Sequence, residues 1–203
     1  MDTSKLNLDA LRSNITIIPQ QPELLSGTLR QNLDPFDQHD DAFLNDALRS
    51  SGLFALQENS EEGRITLDTT IASGGGNLSL GQRQIIALAR AITRRSKVLI
   101  LDEATAAVDY ATDTLIQESI RRELRDVTLI TVAHRLRTIM DADKIMVLDA
   151  GRLVEFDKPS ELLKKESGLL YSLVQESADK EELIAMAHGT EVATEGTTVS
   201  SSS

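Results

Sequence analysis

The sequence predicts an α/β fold built around a mainly parallel sheet. Three near-continuous apolar runs indicate strands that are buried on both faces, as the strands of a parallel sheet usually are. A helical stretch at about 110–124 separates the first two runs, and this alternation is the rhythm of a β-α-β unit. The three runs are Val98–Leu101, Thr128–Ala133 and Ile145–Leu148.

Two earlier elements follow from local patterns. A strand is predicted at Asn14–Ile18, where a β-branched run ends at Pro19. A helix is expected over residues 40–52, capped by Asp40 or Asp41, because its apolar residues recur with helical spacing. The residues expected on its inner face are Phe43, Leu44, Ala47 and Leu48.

The end of the chain predicts a hairpin followed by short helices. The turn at 149–151 (Asp-Ala-Gly) joins Ile145–Leu148 to a strand at Arg152–Phe156. Helices are expected near Pro159–Lys165 and Leu169–Glu176. From 177 to 203 we expect a C-terminal tail, largely disordered from about 189, because acidic residues, Thr, Gly and a run of Ser dominate there.

Composition restricts the classes of function. The net charge of −11 argues against a nucleic-acid partner, because a phosphate-backbone binder needs concentrated Lys and Arg. The chain has no cysteine, which excludes disulfides and Cys-based metal sites. No apolar run approaches the ~18–20 residues that cross a bilayer, so we expect no direct membrane insertion by this chain.

After a flexible Gly-rich loop at 73–77, a second long helix is expected to begin at Ser79. Ser79 and Gln82 have the spacing of a capping box, with Ser at the N-cap and Gln at the third helical position. A helix N-terminus offers free N–H groups and a positive dipole end, and it therefore binds anions. Gly81 lets the backbone approach a phosphate closely. Taken alone, the pattern fits an ordinary capped helix equally well. The residues expected on its inner face are Ile85, Leu88, Ala89 and Ile92.

Polar residues follow the predicted strands at the edge of the sheet where ligands bind in open α/β folds. Asp102 and Glu103 end the first apolar run; Asp102 can hold Mg²⁺, and Glu103 can orient or polarise an attacking water in phosphoryl transfer. His134 ends the next run and can hydrogen-bond a terminal phosphate oxygen or the water. Gln20 follows the first strand and is placed to reach Mg²⁺ or water.

Five stretches resemble the second nucleotide-binding domain of C-subfamily ABC transporters, the multidrug-resistance-associated type. The resemblance covers roughly residues 1–176 and implies a P-loop NTPase-like ABC ATPase core with a helical subdomain at about 30–95. The stretches are NITIIPQQPELLSGTLRQNLDPF (Asn14–Phe36), NLSLGQRQIIALARAI (Asn77–Ile92), VLILDEATAAVD (Val98–Asp109), TVAHRL (Thr131–Leu136) and GRLVEFDKPSELL (Gly151–Leu163).

The resemblance implies a role for each candidate residue. Gln20 is the Q-loop glutamine, Asp102 the Walker B aspartate that holds Mg²⁺, and Glu103 the catalytic glutamate. Asp109 is the D-loop aspartate and His134 the switch histidine. The signature motif, which in such transporters binds the ATP of the partner domain, consists of Ser79, Gly81 and Gln82.

The chain departs from the family pattern in three places. Leu80 stands at the first glycine of LSGGQ, and Gln21 stands where an acidic residue often follows the Q-loop glutamine. More importantly, no G-x-x-x-x-G-K-[ST] phosphate loop occurs in the 203 residues. Because this loop normally supplies most phosphate contacts, we expect a truncated domain (residues 1–176) that is inactive by itself.

The resemblance implies ATP and Mg²⁺ as cofactors and the cytoplasmic face of a membrane as the location. The implied partners are the first nucleotide-binding domain and the transmembrane domains of an exporter. Two other interpretations stay open. The chain could be a binding module that lends its signature helix to another cassette without hydrolysing ATP, or a soluble ABC ATPase of the DNA-repair or translation type. The acidic balance and the C-subfamily stretches argue against the last of these.

Overall fold

A computed structural model describes residues 5–58, 64–102, 108–133 and 135–189. The chain divides into two compact units, residues 1–132 and 133–203. The N-terminal unit contains α1 (Leu8–Asn14), β1 (Ile15–Ile18), β2 (Gly27–Thr28), α2 (Leu29–Leu33), α3 (Asp41–Ser50), α4 (Leu53–Gln57), β3 (Thr70–Ile71), α5 (Leu80–Arg94), β4 (Val98–Asp102), α6 (Tyr110–Glu123) and β5 (Thr128–Val132). The C-terminal unit contains β6 (Ile145–Asp149), β7 (Arg152–Asp157), α7 (Pro159–Leu162), α8 (Leu169–Glu176) and α9 (Lys180–Ala187).

A parallel sheet of order β1-β4-β5 organises the N-terminal unit, which confirms the predicted fold class. The chain passes from β4 to β5 through α6, as the β-α-β rhythm predicts. A second, two-stranded antiparallel sheet pairs β2 with β3. Because β1, β4 and β5 run in the same direction, their carboxyl ends lie at one edge of the sheet.

Helix α5 is the centre of the core of the N-terminal unit. Ser79 caps it as expected, and Ile85, Leu88 and Ala89 are fully buried, whereas Ile92 is half-buried. Helix α3 packs against α5, is capped by Asp40 and has the predicted apolar face. Aliphatic side chains from the helices and from one face of the sheet form a single cluster, so burial of Leu and Ile supplies most of the stability.

The expectation of strands buried on both faces is wrong for β5. Ile17, Ile100 and Ile130 lie side by side across the three strands, and Ile17 and Ile130 are 59% and 49% exposed. Together with Val132, which is 50% exposed, they form what we call the outer sheet face. The opposite face carries Ile18, Leu99 and Leu101 and belongs to the core. Sequence periodicity shows that a strand is apolar, but burial also needs a covering element.

The third apolar run does not join the parallel sheet. It forms β6, which pairs antiparallel with β7 in the predicted hairpin. Ala150 and Gly151 make the turn with φ of 47° and 75°, a left-handed conformation that suits a two-residue hairpin connection. The hairpin is therefore confirmed, and the assignment of this run to a parallel sheet is wrong.

Two further segments are more regular than expected. Residues 73–77 are not simply a flexible loop, because Ser73–Gly75 form a 3₁₀ turn. Asn77 fixes this turn through its side chain, which accepts from Ala72 N–H at 2.9 Å and donates to Thr70 C=O at 2.9 Å. In the predicted tail, α9 buries Leu183 against a small second core that also contains Met140, Leu162 and Leu170. In the described part of the chain, no helix is long and apolar enough to cross a bilayer.

Candidate functional site

The N-terminus of α5 has the capping box that the sequence predicts. Ser79 Oγ accepts a hydrogen bond from Gln82 N–H at 3.1 Å, and Gln82 Oε1 accepts one from Ser79 N–H at 2.9 Å. The two side chains therefore hold each other and close the first turn of the helix. In this conformation, Ser79 Oγ and Gln82 Oε1 each accept a hydrogen bond from a backbone N–H group of the first turn.

The next two backbone donors of α5 belong to Leu80, which is half-buried, and to Gly81, which is buried. Among the described residues, none accepts a hydrogen bond from the N–H groups of Leu80 or Gly81. These donors lie at the positive end of a 15-residue helix. Such an arrangement fits an anionic phosphate, because the N–H groups and the dipole both favour negative charge.

Gly81 lies directly against Thr112 of α6. A Cβ atom at Gly81 would lie 2.9 Å from Thr112 Cγ2, which is too close for an ordinary contact. From the sequence, one reason for a glycine at position 81 is close approach to a phosphate. The structure adds a second reason, the packing of α6 against the first turn of α5.

Asp109 caps α6 through the same Thr112. Its carboxylate accepts from Thr112 N–H at 3.0 Å and from Thr112 Oγ1 at 2.7 Å. The bonds from the backbone and the hydroxyl of Thr112 hold the pKa of Asp109 below its usual value. Asp109, which the resemblance assigns to the D-loop, is thus linked to the first turn of α5 through one buried side chain.

Gln20 and Asp102 lie at the same edge of the parallel sheet. Ile18 pairs with Leu101 in the register of β1 and β4; Gln20 comes two residues after Ile18, and Asp102 is the last residue of β4. Asp102 is exposed at the end of β4, where a carboxylate can contact a ligand. The described residues contain no group of three His, Cys, Asp or Glu side chains that could hold a metal. Asp102 and Gln20 carry side-chain oxygen atoms, the ligand type that Mg²⁺ prefers.

The two predicted catalytic residues, Glu103 and His134, lie outside the described residues. The described part of the site therefore comprises the start of α5, Asp109 with Thr112, and the ends of β1 and β4.

Three buried or half-buried side chains at this site escaped the sequence analysis. Thr112 links Gly81 to Asp109, and Gln84 and Arg90 of α5 bind backbone carbonyls of the segment that follows β1. Gln84 could have been found from the sequence, because it falls on the apolar face of a helix, where a polar side chain is buried and needs a hydrogen-bond partner. Thr112 carried no such signal, since threonine three residues after an N-cap is ordinary.

Comparison with known proteins places the chain in a family. The profile of the family described as ABC transporter matches residues 1–106. ABC transporter C family member 8 of Dictyostelium discoideum is 46% identical over 183 residues, which is 90% of this chain and 11% of that protein. Human ATP-binding cassette sub-family C member 4 is 49% identical over 174 residues, 86% of this chain and 13% of that protein. Probable multidrug resistance-associated protein lethal(2)03659 of Drosophila melanogaster is 48% identical over 192 residues, 93% of this chain and 14% of that protein.

The chain therefore belongs to the ABC transporter family, and these matches confirm its resemblance to the C-subfamily, multidrug-resistance-associated type. It corresponds to an ATP-binding module of such transporters. The chain spans 11% to 14% of the length of the three relatives, so what a whole transporter does is a separate question.

Proposed function

We propose that this chain is part of the second ATP-binding and hydrolysis module of an ATP-driven exporter, and that it works at the cytoplasmic face of a membrane. The observation that carries the proposal is the start of α5. There the motif LSLGQ forms the cap and first turn of a helix whose Leu80 and Gly81 N–H groups have no acceptor among the described residues. An anion site in this motif is what an ATP-binding cassette requires.

The residues divide between two nucleotides. Ser79, Gly81 and Gln82 contact the ATP of a first nucleotide-binding domain, which is the proposed partner together with the transmembrane domains. Asp102 and Gln20 hold Mg²⁺ on the module's own nucleotide, where the metal neutralises phosphate charge. Glu103 orients the attacking water, His134 donates to a terminal phosphate oxygen, and Asp109 keeps α6 in place beside the signature.

A second candidate function rests on the start of α5 alone, whose capping box and Leu80 and Gly81 N–H groups are all that it uses. In this alternative, the chain is a non-hydrolysing partner module that contributes its signature helix alone. The two candidates differ in which residues matter, because only the first uses Glu103.

The proposal is tested with an engineered protein that we call the completed cassette. It carries a phosphate-loop segment ahead of residue 1 and is mixed with a first nucleotide-binding domain as partner. Ser79→Arg places a bulky side chain where the partner's terminal phosphate docks, so we expect loss of ATP-dependent association with ATP binding to this module retained. Ser13→Arg, at an exposed serine of α1, is the matched control.

The association is measured by sedimentation with and without ATP. If Ser79→Arg associates as well as Ser13→Arg, the start of α5 does not contact the partner's nucleotide and the proposal fails. If Ser79→Arg abolishes association while Glu103→Gln leaves turnover unchanged, the non-hydrolysing module is the better description.

A further inference from the structure

The segment that follows β1 is held to α5 by a buried glutamine. Gln84 is 2% exposed, and its Nε2 donates to the backbone carbonyls of Gln20 at 2.7 Å and Pro19 at 3.3 Å. Its sequence distance from Gln20 is 64 residues, so this contact exists only in the folded chain. The carbonyl oxygen of Gln20, the residue assigned to Mg²⁺, is thus bound by a side chain of the signature helix.

Arg90 holds the same segment further along. Its Nε donates to Asn32 C=O at 2.7 Å, its Nη1 donates to Glu23 C=O at 2.9 Å, and its Nη2 donates to Asn32 Oδ1. The planar guanidinium suits this task because its donors form a rigid fork. Burial lowers the pKa of Arg90, but an arginine remains charged in proteins.

Asn32, which Arg90 binds, is hydrogen-bonded in turn to other residues of the segment. It is 4% exposed, its Oδ1 accepts from Leu25 N–H at 2.9 Å, and its Nδ2 donates to the carbonyls of Leu25 at 2.8 Å and Thr28 at 3.0 Å. The hydrogen bonds therefore run from α5 through Arg90 and Asn32 to the middle of the segment.

The two side chains of α5 act at separate points. Gln84 and Arg90 are six residues apart, which places their attachment to the helix about 9 Å apart along its axis. Two anchors at this spacing prevent the segment from pivoting about either one. All but one of their acceptors are backbone carbonyls, so the contact fixes the course of the main chain.

We propose that Gln84 and Arg90 are positioning residues that fix the segment 19–32 to α5, so that Gln20 and the signature residues at the start of α5 move as one body. The consequence for ATP chemistry rests on the proposed function. The hydrogen-bonded link between α5 and the segment 19–32 does not depend on that function, because it is formed within this chain.

Hydrogen exchange of the 203-residue chain, followed by mass spectrometry, tests the link. Arg90→Met removes the fork while keeping an unbranched side chain, and we expect about 10- to 100-fold faster exchange of amides 23–32. Gln84→Met should act nearer the start of the segment, with Leu25, whose amide donates to Asn32 Oδ1, as the reporter. Arg94→Met is the matched control, since Arg94 is exposed on the same helix and makes one long bond of 3.3 Å to Arg12 C=O.

A positioning role requires that the effect is local. Amides of β4 and β5 should exchange within twofold of the wild-type rate in every variant, and Arg90→Lys, which restores one donor and the charge, should recover part of the protection. Acceleration that is uniform over the N-terminal unit, or equal to that of Arg94→Met, overturns the proposal.

The completed cassette supplies the functional readout. We expect Gln84→Met to lower kcat about 10-fold while KM for ATP stays within twofold, since it displaces Gln20 without removing a nucleotide contact. An unchanged kcat in a variant whose segment 19–32 is loosened overturns the link to Gln20. Failure of the proposed function is seen separately, as wild-type turnover of Glu103→Gln.

Discussion

Gly81→Ala tests the contact between α5 and α6. The added methyl group would lie 2.9 Å from Thr112 Cγ2, against an ordinary carbon–carbon contact of about 3.5–4.0 Å. Thr112 cannot easily rotate away, because it is β-branched, 3% exposed and bound to Asp109 through both its hydroxyl and its backbone N–H. The substitution must therefore separate the two helices or strain this cap.

The magnitude follows from two opposing effects. Overpacking a well-filled site costs about 1–3 kcal/mol, whereas replacing a helical glycine by alanine gains about 0.5–1 kcal/mol. We expect Gly81→Ala to lower the free energy of unfolding by about 1 kcal/mol, the centre of a range of about 0–2.5 kcal/mol left when the gain is subtracted from the cost. Thr112→Ser deletes the opposing methyl group and keeps the hydroxyl, so by itself it should cost about 0.5–1.5 kcal/mol.

The double variant decides whether the contact is the cause. In the Gly81→Ala background, Thr112→Ser should be neutral or stabilising, which corresponds to a coupling energy of at least about 0.5–1.5 kcal/mol. Urea unfolding followed by circular dichroism measures all four proteins. Gly76→Ala is the control, because a Cβ atom there would meet its nearest neighbour, the Ser73 carbonyl oxygen, at 3.8 Å.

Two results would refute this reasoning. One is a Gly81→Ala protein as stable as Gly76→Ala, which would mean that α6 yields to the methyl group without cost. The other is additivity of Gly81→Ala and Thr112→Ser, which would show that the destabilisation arises elsewhere.

Four further outcomes are expected. The 203-residue chain should bind ATP more weakly than millimolar, because the phosphate loop's charge-assisted hydrogen bonds, roughly 1.5–3 kcal/mol each, are missing; micromolar binding in calorimetric titration would contradict this. The chain should be poorly stable because its outer sheet face is exposed, and a sharp melt of the monomer above ~60 °C would show otherwise. In the completed cassette, Glu103→Gln should bind ATP but turn over about 10²–10⁴-fold more slowly, since the charge that polarises water is lost; wild-type turnover would remove Glu103 from the mechanism. Finally, a ¹³C NMR titration should show the pKa of the Asp109 carboxyl below its ordinary value of 3.8. The stability that this carboxylate contributes is therefore present above pH 3.8 and is lost as the pH falls through the lower pKa of the folded state. Thr112→Val should raise the pKa of Asp109, and an unchanged pKa would contradict the role of the hydroxyl.

Local patterns account for what could be predicted from the sequence. The capping box of Ser79 and Gln82 spans four residues, so its geometry follows from helix formation alone. The order of strand, helix and strand from Val98 to Val132 was equally readable, because each element carries its own periodicity. These two features were enough to place Asp102 at the sheet edge.

Contacts between distant residues account for what the sequence did not show. Gln84 meets Gln20 across 64 residues, and no local pattern marks that pair. Exposure of Ile130 depends on which element covers the strand, and the periodicity of the sequence does not show which element that is. Helix α9 was missed because its acidic first turn resembles the tail that follows, while Leu183 alone is buried.

The candidate site is arranged around one helix. At its first turn, α5 contacts α6 through Gly81 and Thr112, and Thr112 in turn holds the Asp109 carboxylate. One turn later and again near its end, α5 holds the segment after β1 through Gln84 and Arg90. Helix α5 is therefore joined both to the Asp109 cap of α6 and to the segment after β1. A displacement of α5 cannot leave Gln20 or Asp109 behind without breaking at least one of these contacts.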